Sequence, residues 1–192
     1  MKIPQLRKQT EKKNCHGYSW EDDYSWIHQD NCLEILRDTK KLNPEVRKYL
    51  EEENSYTKEI MRDTENLQKK IFKEIEGRIK LDDESLPFKD KKYDYWTKTT
   101  KEGNYAKKLR KKIGSDKVEC YFDGDLEAKG KKFFSTGDLA VSNNDEFLAF
   151  SVDDKGGEYF TIFIRRIEDN KIIDKIEDTA GGIVWSYDDK SF

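Results

Sequence analysis

Ser19 is the serine whose context comes nearest to that of a hydrolytic nucleophile, within Gly17-Tyr18-Ser19-Trp20-Glu21. An α/β-hydrolase nucleophile needs the pattern G-x-S-x-G between a strand and a helix, because the glycines permit the strained turn that exposes the serine. The final glycine is replaced by Glu21, and no apolar strand precedes the segment. We therefore expect no catalytic residue in this chain, Ser19 included.

Two histidines, His16 and His28, are the candidates for the base of a catalytic triad. Such a base must lie within hydrogen-bonding distance of a nucleophile and be oriented by a carboxylate. Without a nucleophile elbow, neither histidine has an evident partner of this kind. Both are expected to be structural or surface residues.

A metal site could be drawn from Cys15, His28 and Cys32, since the last two are four positions apart and would align on a helix. A structural zinc site usually has four ligands that include paired cysteines. This set has neither property, so we assign no metal ligand and no cofactor. The third cysteine, Cys120, makes the count odd, and without CxxC spacing the thiols are expected to be reduced and structural.

The strongest basic cluster is Lys107, Lys108, Arg110, Lys111 and Lys112. Alternate members of a strand face opposite sides, so the cluster does not imply a single patch. The chain has 37 basic and 40 acidic residues and a net charge of −3. This near-balance gives no field that would attract nucleic acid or an anionic membrane surface, and neither partner is expected.

The composition is typical of a folded chain with an unusually polar surface. Charged residues make up 40% of the 192 residues, against roughly 25% in average globular proteins. Aromatic residues reach 12%, which argues against wholesale disorder. No apolar run has the roughly 18 residues that a membrane-spanning helix needs, and the start has no signal-peptide core. We expect a cytoplasmic protein.

The first part of the chain predicts a helical arm, residues 1–85. A short helix is expected around residues 33–36, and Asn43-Pro44-Glu45 reads as the start of a long helix. Gly77 is the predicted end, a break near Asn54-Ser55 is the alternative to one unbroken helix, and Asp82 to Pro87 reads as a polar linker. The apolar stripe of the long helix consists of Val46, Tyr49, Leu50, Tyr56, Ile60, Leu67, Ile71 and Ile75.

Residues 86–192 change to the alternating pattern of strands and contain a repeat. Gly137-Asp138-Leu139-Ala140-Val141-Ser142-Asn143-Asn144-Asp145 is echoed, at an offset of 44 residues, by Gly181-Gly182-Ile183-Val184-Trp185-Ser186-Tyr187-Asp188-Asp189. Strands are expected at 93–97, 105–112, 118–122, 146–152, 159–167 and 172–176, with turns at 103–104, 153–157 and 168–171.

Four strands in about 40–45 residues are typical of one β-propeller blade. The alternative is a coincidental likeness within an ordinary antiparallel sheet. About two blades cannot close a ring, and an open array exposes strand edges. The fold class is therefore predicted as α+β or mainly β, an arm and the first blades of an incomplete propeller, and the chain is expected to be incomplete or to need a partner.

Ten segments of the chain are specific enough to suggest a family: 16–17, 22–27, 44–46, 49–51, 53–56, 74–79, 133–135, 140–142, 148–153 and 179–182. They resemble the oligopeptidase B branch of the prolyl oligopeptidase family. The likeness runs from about residue 16 to the end. One departure is Asn143-Asn144-Asp145, where the family often has a Pro-Asp-Gly type of turn.

The resemblance implies a serine peptidase in which a seven-bladed propeller covers an α/β-hydrolase domain and restricts substrates to short peptides. It implies cleavage after Arg or Lys, with Ser, Asp and His supplied by a hydrolase domain that this chain lacks. In that case the arm would pack on the hydrolase domain, helped by Trp20, Tyr24 and Trp26, and this chain alone would be inactive. The alternative is a non-enzymatic interaction module that offers a helix face and open strand edges to a partner.

Overall fold

The structure is a computed structural model that describes residues 2–192. The chain divides into two compact units, Met1–Ile79 and Lys80–Phe192, and each is described by itself. The predicted division between arm and propeller at residues 85 and 86 stays a prediction. No helix within residues 2–192 combines the length and the apolar character needed to cross a membrane.

The first unit begins with a β-hairpin that the sequence analysis missed. Strands β1 (Glu11–Cys15) and β2 (Tyr18–Asp22) pair antiparallel. The turn between them uses His16 and Gly17, whose φ angles of 50° and 82° match the left-handed residues that favour two-residue hairpins. The hairpin is exposed, and its only large apolar side chains in the described strands are Tyr18 and Trp20 on one face of β2, so the alternation that reveals a strand is too short to be recognised.

The helices of this unit are α1 (Cys32–Arg37), α2 (Pro44–Met61) and α3 (Glu65–Glu76). The predicted short helix and the predicted start of the long helix are confirmed. Asn43 Oδ1 accepts a hydrogen bond of 2.8 Å from the backbone N–H of Glu45, which caps the helix start.

The predicted break near Asn54-Ser55 is wrong, because α2 is continuous there. Ser55 Oγ donates a hydrogen bond to the carbonyl of Glu51 at 2.8 Å, so its polar group is satisfied inside the helix. The interruption lies at Arg62–Thr64, a single 3-10 turn between α2 and α3.

The second unit contains two antiparallel sheets. The first has β3 (Asp83–Glu84) and β4 (Phe88–Asp90) at one edge, followed by β5 (Tyr93–Thr99), β6 (Lys107–Lys112) and β7 (Val118–Asp123). Helix α4 (Gly124–Ala128) follows β7. The second sheet has the order β8 (Ser135–Val141), β9 (Phe147–Asp153), β10 (Phe160–Arg166) and β11 (Ile172–Thr179). The predicted strands are confirmed apart from shifts of a few residues at their ends.

The expectation of a polar linker from Asp82 to Pro87 is wrong. Asp83–Glu84 forms β3, and both β3 and β4 pair with β5. The two short strands are therefore pieces of one edge strand, interrupted around Pro87, which has no N–H for a ladder hydrogen bond. Each sheet thus has four strand positions, as expected of a blade.

The central strand β9 of the second sheet is buried on both faces. On one face of β9, Leu148, Phe150 and Val152 join a core that includes Phe122 of β7. On the other face, Ala149 contributes to a core that includes the residues Ile162, Ile164 and Ile183. Because successive strand residues point to opposite faces, this sheet needs a packing layer on each side.

The predicted turn at residues 153–157 is organised by one carboxylate. Asp153 accepts hydrogen bonds of 2.8–2.9 Å from the backbone N–H groups of Lys155, Gly156 and Glu158. Burial on its own would raise the pKa of Asp153, but these hydrogen bonds favour the charged form and hold the pKa below its ordinary value.

Candidate functional site

Ser19 and the two histidines do not form a catalytic arrangement. Ser19 lies in β2, where its hydroxyl donates a hydrogen bond to Asn14 on β1. His16 occupies the hairpin turn, and exposed His28 lies 3.4 Å from Asp30. Within residues 2–192, no hydrogen bond joins Ser19 to either histidine. That this chain carries no catalytic residue stays a prediction.

The candidate metal ligands lie in different elements of the first unit, and His28 lies outside α1, so the expected alignment of His28 and Cys32 on a helix is wrong. Cys15 ends β1 and Cys32 begins α1, and these two thiols and that of Cys120 are free and exposed. The part of the chain that the structure describes holds no group of three or more His, Cys, Asp or Glu side chains suited to a metal ion.

The basic cluster of β6 is divided as predicted. Lys107 forms an ion pair with Asp123, and Lys108 Nζ donates to Thr97 Oγ1 at 3.0 Å. Arg110 is buried and is bound at its Nε by Glu119 at 3.0 Å. The cluster therefore forms no continuous basic surface.

The repeated turns at Ser142–Phe147 and Ser186–Ser191 have the same hydrogen bonds. Each serine hydroxyl donates to the side chain two positions later and accepts from the backbone N–H five positions later. In each turn, the backbone N–H three positions after the serine also donates to the serine carbonyl. The correspondence at an offset of 44 residues confirms the predicted repeat at the level of single atoms.

The last residue of each repeat adopts a left-handed backbone. Asp145 has φ 68° and Asp189 has φ 56°, a conformation that Asp and Asn tolerate better than other side chains. Lys91, two residues before β5, has φ 49°. It shares this backbone conformation but belongs to a shorter, two-residue turn, because Asp90 pairs directly with Tyr93.

The second repeat lies directly beside the first. The two carboxylate oxygens of Asp189 accept hydrogen bonds from the backbone N–H groups of Asn143 and Asn144 at 2.6 and 2.8 Å. Further along, Trp185 Nε1 donates to the carbonyl of Ala140 at 2.9 Å. Residues 180–192 form no β-strand.

The junction between the two sheets is built differently. Asp145 is the equivalent of Asp189, but its Oδ1 accepts a hydrogen bond from the hydroxyl of Tyr95 at 3.3 Å. Arg110 Nη1 donates to the carbonyl of Asp145 at 2.8 Å, and its guanidinium lies over the ring of Tyr93. Burial is the main reason that the pKa of Tyr95 is raised, so this hydroxyl remains a donor.

A groove of about 810 Å³ opens at this junction, at the end of the sheets where the repeated turns lie. One wall comes from the start of β5, the end of β6 and the start of β7. The other wall comes from the turn between β8 and β9 and the turn after β10. Both walls carry charged side chains, so the groove is suited to a polar ligand.

The arm exposes apolar side chains along one side of α2 and α3. Each of these residues is between 47% and 64% exposed: Leu50, Ile60, Leu67, Ile71, Phe72 and Ile75. Exposed apolar patches of this kind are typical of surfaces that contact another protein or domain. In the same unit, Trp20 and Tyr24 are exposed, whereas Trp26 Nε1 donates to the carbonyl of Arg7.

The family model described as "Prolyl oligopeptidase, N-terminal beta-propeller domain" matches residues 4–192. The chain belongs to the prolyl oligopeptidase family. The two sheets and the repeated turns are thus blades of the N-terminal β-propeller, preceded by a helical arm, which confirms the predicted fold class. The family match begins at residue 4, whereas the resemblance in sequence begins at about residue 16.

Individual relatives agree with this assignment. Dipeptidyl aminopeptidase BI of Pseudoxanthomonas mexicana is 28% identical over 92% of this chain and 25% of its own length. Protease 2 of Moraxella lacunata is 25% identical over 90% of this chain and 24% of its own length. The structure of oligopeptidase B from Leishmania major has a TM-score of 0.79 and 27% identity, covering 95% of this chain and 28% of that protein. The chain therefore spans about a quarter of the length of these relatives.

Asp189→Asn is expected to weaken the contact between the repeated turns, because the amide nitrogen that replaces one oxygen cannot accept a backbone hydrogen bond. We expect the free energy of unfolding, measured by urea denaturation, to fall by about 1–3 kcal/mol. Hydrogen exchange at the amides of Asn143 and Asn144 should accelerate.

Asp188→Asn is the matched control, since the equivalent residue of the first turn is already Asn144 and the accepting oxygen is retained. Similar losses of stability in both variants would contradict the role given to Asp189.

Proposed function

We propose that this chain is the arm and first propeller blades of a serine oligopeptidase that cleaves short peptides after Arg or Lys. Its own role is to support the enzyme and to restrict which peptides reach the catalytic centre. A hydrolase domain outside this chain supplies the serine nucleophile, the histidine base and the oxyanion hole for acyl transfer. The observation that carries the proposal is the family match over residues 4–192, joined to the repeated blade geometry.

The oligopeptidase B likeness supports cleavage after basic residues. The Leishmania major enzyme of that name shares the fold of this chain at 27% identity. Other relatives have names that indicate different peptide preferences: dipeptidyl aminopeptidase BI, and a prolyl endopeptidase of Elizabethkingia miricola that is 25% identical. The specificity test must therefore compare basic, proline and dipeptide substrates.

The arm is proposed to pack on the hydrolase domain through the exposed apolar side of α2 and α3. Leaving side chains such as Leu67 and Ile71 half exposed costs hydrophobic free energy that burial against a partner would recover. We also propose that the arm comprises residues 1–85 and packs on the hydrolase domain, and that residues 86–192 form part of the propeller.

The second candidate is a non-enzymatic interaction module, and the same exposed apolar side is the observation that favours it. The two candidates differ in what the reading frame encodes. Continuation into further blades and a G-x-S-x-G elbow supports the peptidase. A native stop codon after Phe192, together with a stable monodisperse protein, supports the interaction module.

The cleavage prediction concerns the product of the complete reading frame. It is expected to hydrolyse fluorogenic peptides after Arg or Lys with a kcat/KM at least about a hundredfold higher than after Ala. A substrate pocket that pairs a buried carboxylate with the basic side chain would reject a side chain without that charge. The purified 192-residue chain should give no turnover above buffer. Turnover by this chain alone, or a preference of the complete protein for proline or for dipeptide release, would contradict the proposal.

Leu67→Asp combined with Ile71→Asp is expected to release the arm in the complete protein, because two carboxylates would be buried against the hydrolase domain. Amide hydrogen exchange in α3 should accelerate at least about tenfold through local opening. The matched control is Lys69→Asp with Lys73→Asp, which places the same charges on the opposite, solvent-facing side of α3. Equal acceleration in both pairs would show that the apolar side has no packing role.

A further inference from the structure

The groove between the two sheets has walls of opposite charge. The first wall presents Lys92 and Lys112, and the second presents Glu146 and Glu168. Of the other basic residues in the groove, Arg110 and Lys117 both lie against Glu119, and Arg166 of the second wall forms an ion pair with Asp169. Within residues 2–192, neither the two lysines of the first wall nor the two glutamates of the second wall have an ion-pair partner.

The groove also contains a buried carboxylate that is incompletely bound. Asp145 lines the groove and is only 5% exposed. Its Oδ1 accepts from Tyr95, whereas its Oδ2 is buried without any hydrogen-bond partner in the described chain. Buried carboxylate oxygens are normally bound, and leaving one unbound is costly. The equivalent Asp189 has both oxygens bound, so the unbound oxygen is specific to this junction.

A ligand that satisfies both walls must carry a negative and a positive group. An arginine or lysine at the C-terminus of a peptide has this chemistry, because its α-carboxylate and its basic side chain are separated by a flexible aliphatic chain. The carboxylate matches Lys92 and Lys112, and the several N–H donors of the side chain match Asp145, Glu146 and Glu168.

We propose that this groove binds the C-terminal arginine or lysine of a short peptide, at a site within the propeller. The inference rests in part on the proposed function, since cleavage after Arg or Lys releases peptides that end in such a residue. The groove would then retain the enzyme's own products, and its occupancy would rise as substrate is consumed.

The test measures binding of N-acetyl-L-arginine to the 192-residue chain by NMR chemical-shift titration. We expect saturable binding with a Kd on the order of 1 mM, as for a small ligand held by two charged groups. N-acetyl-L-norleucine lacks the side-chain cation, and N-acetyl-L-arginine amide lacks the carboxylate. Each should bind at least about fivefold more weakly. Equal binding of all three compounds, or no saturable binding of the first, would overturn the proposal.

Variants of the two walls give the second readout. Lys112→Gln and Glu168→Gln should each weaken binding of N-acetyl-L-arginine at least about fivefold without changing the thermal midpoint. Lys175→Gln and Glu177→Gln are the matched controls, because these exposed residues pair with each other on β11, outside the groove. Unchanged affinity in the two groove variants would place the ligand elsewhere and contradict the proposal.

The binding result and the cleavage result can fail separately. Binding to this chain does not depend on a hydrolase domain, whereas cleavage preference is measured on the complete protein. Binding without a preference for Arg or Lys would support the site and remove its link to products. A preference without binding would support the proposed function and overturn the site.

Discussion

The contact between the carboxylate of Asp189 and the backbone amides of Asn143 and Asn144 joins the two repeated turns of the propeller unit. Backbone N–H groups in a tight turn have no ladder partner, and burying them unbound is costly. A charged carboxylate that accepts from both satisfies them and is stronger than a neutral acceptor. Because both turns have the same internal hydrogen bonds, this contact sets the position of one repeat relative to the next.

The central strand β9 of the second sheet packs on both faces, and one of these faces contacts the following repeat. Leu148 and Phe150 are almost fully buried against the first sheet, while Ala149 is buried with Ile183 of the following repeat. A blade of this kind cannot bury its two faces by itself. The apolar layers supply most of the stabilisation through burial, and the turn contacts determine the register in which successive layers meet.

The sequence predicts those parts of the fold that have a strong local pattern. The strands of the second sheet, the cap at Asn43 and the 44-residue repeat all follow from periodicity or turn chemistry. The hairpin β1–β2 and the edge strand β3–β4 are short and exposed, with too few apolar residues to form a recognisable pattern, so pairing alone reveals them. The groove could not be predicted either, because Lys112 and Glu168 are far apart in the sequence and become neighbours only when the two sheets pack together.

Scalar couplings across hydrogen bonds test the central contact most directly. In the uniformly ¹⁵N- and ¹³C-labelled chain, the backbone nitrogens of Asn143 and Asn144 should each show a coupling to the side-chain carboxyl carbon of Asp189, and both amides should exchange slowly with solvent. Absence of both couplings, with exchange at the rate of exposed amides, would contradict the arrangement of successive blades described for this chain.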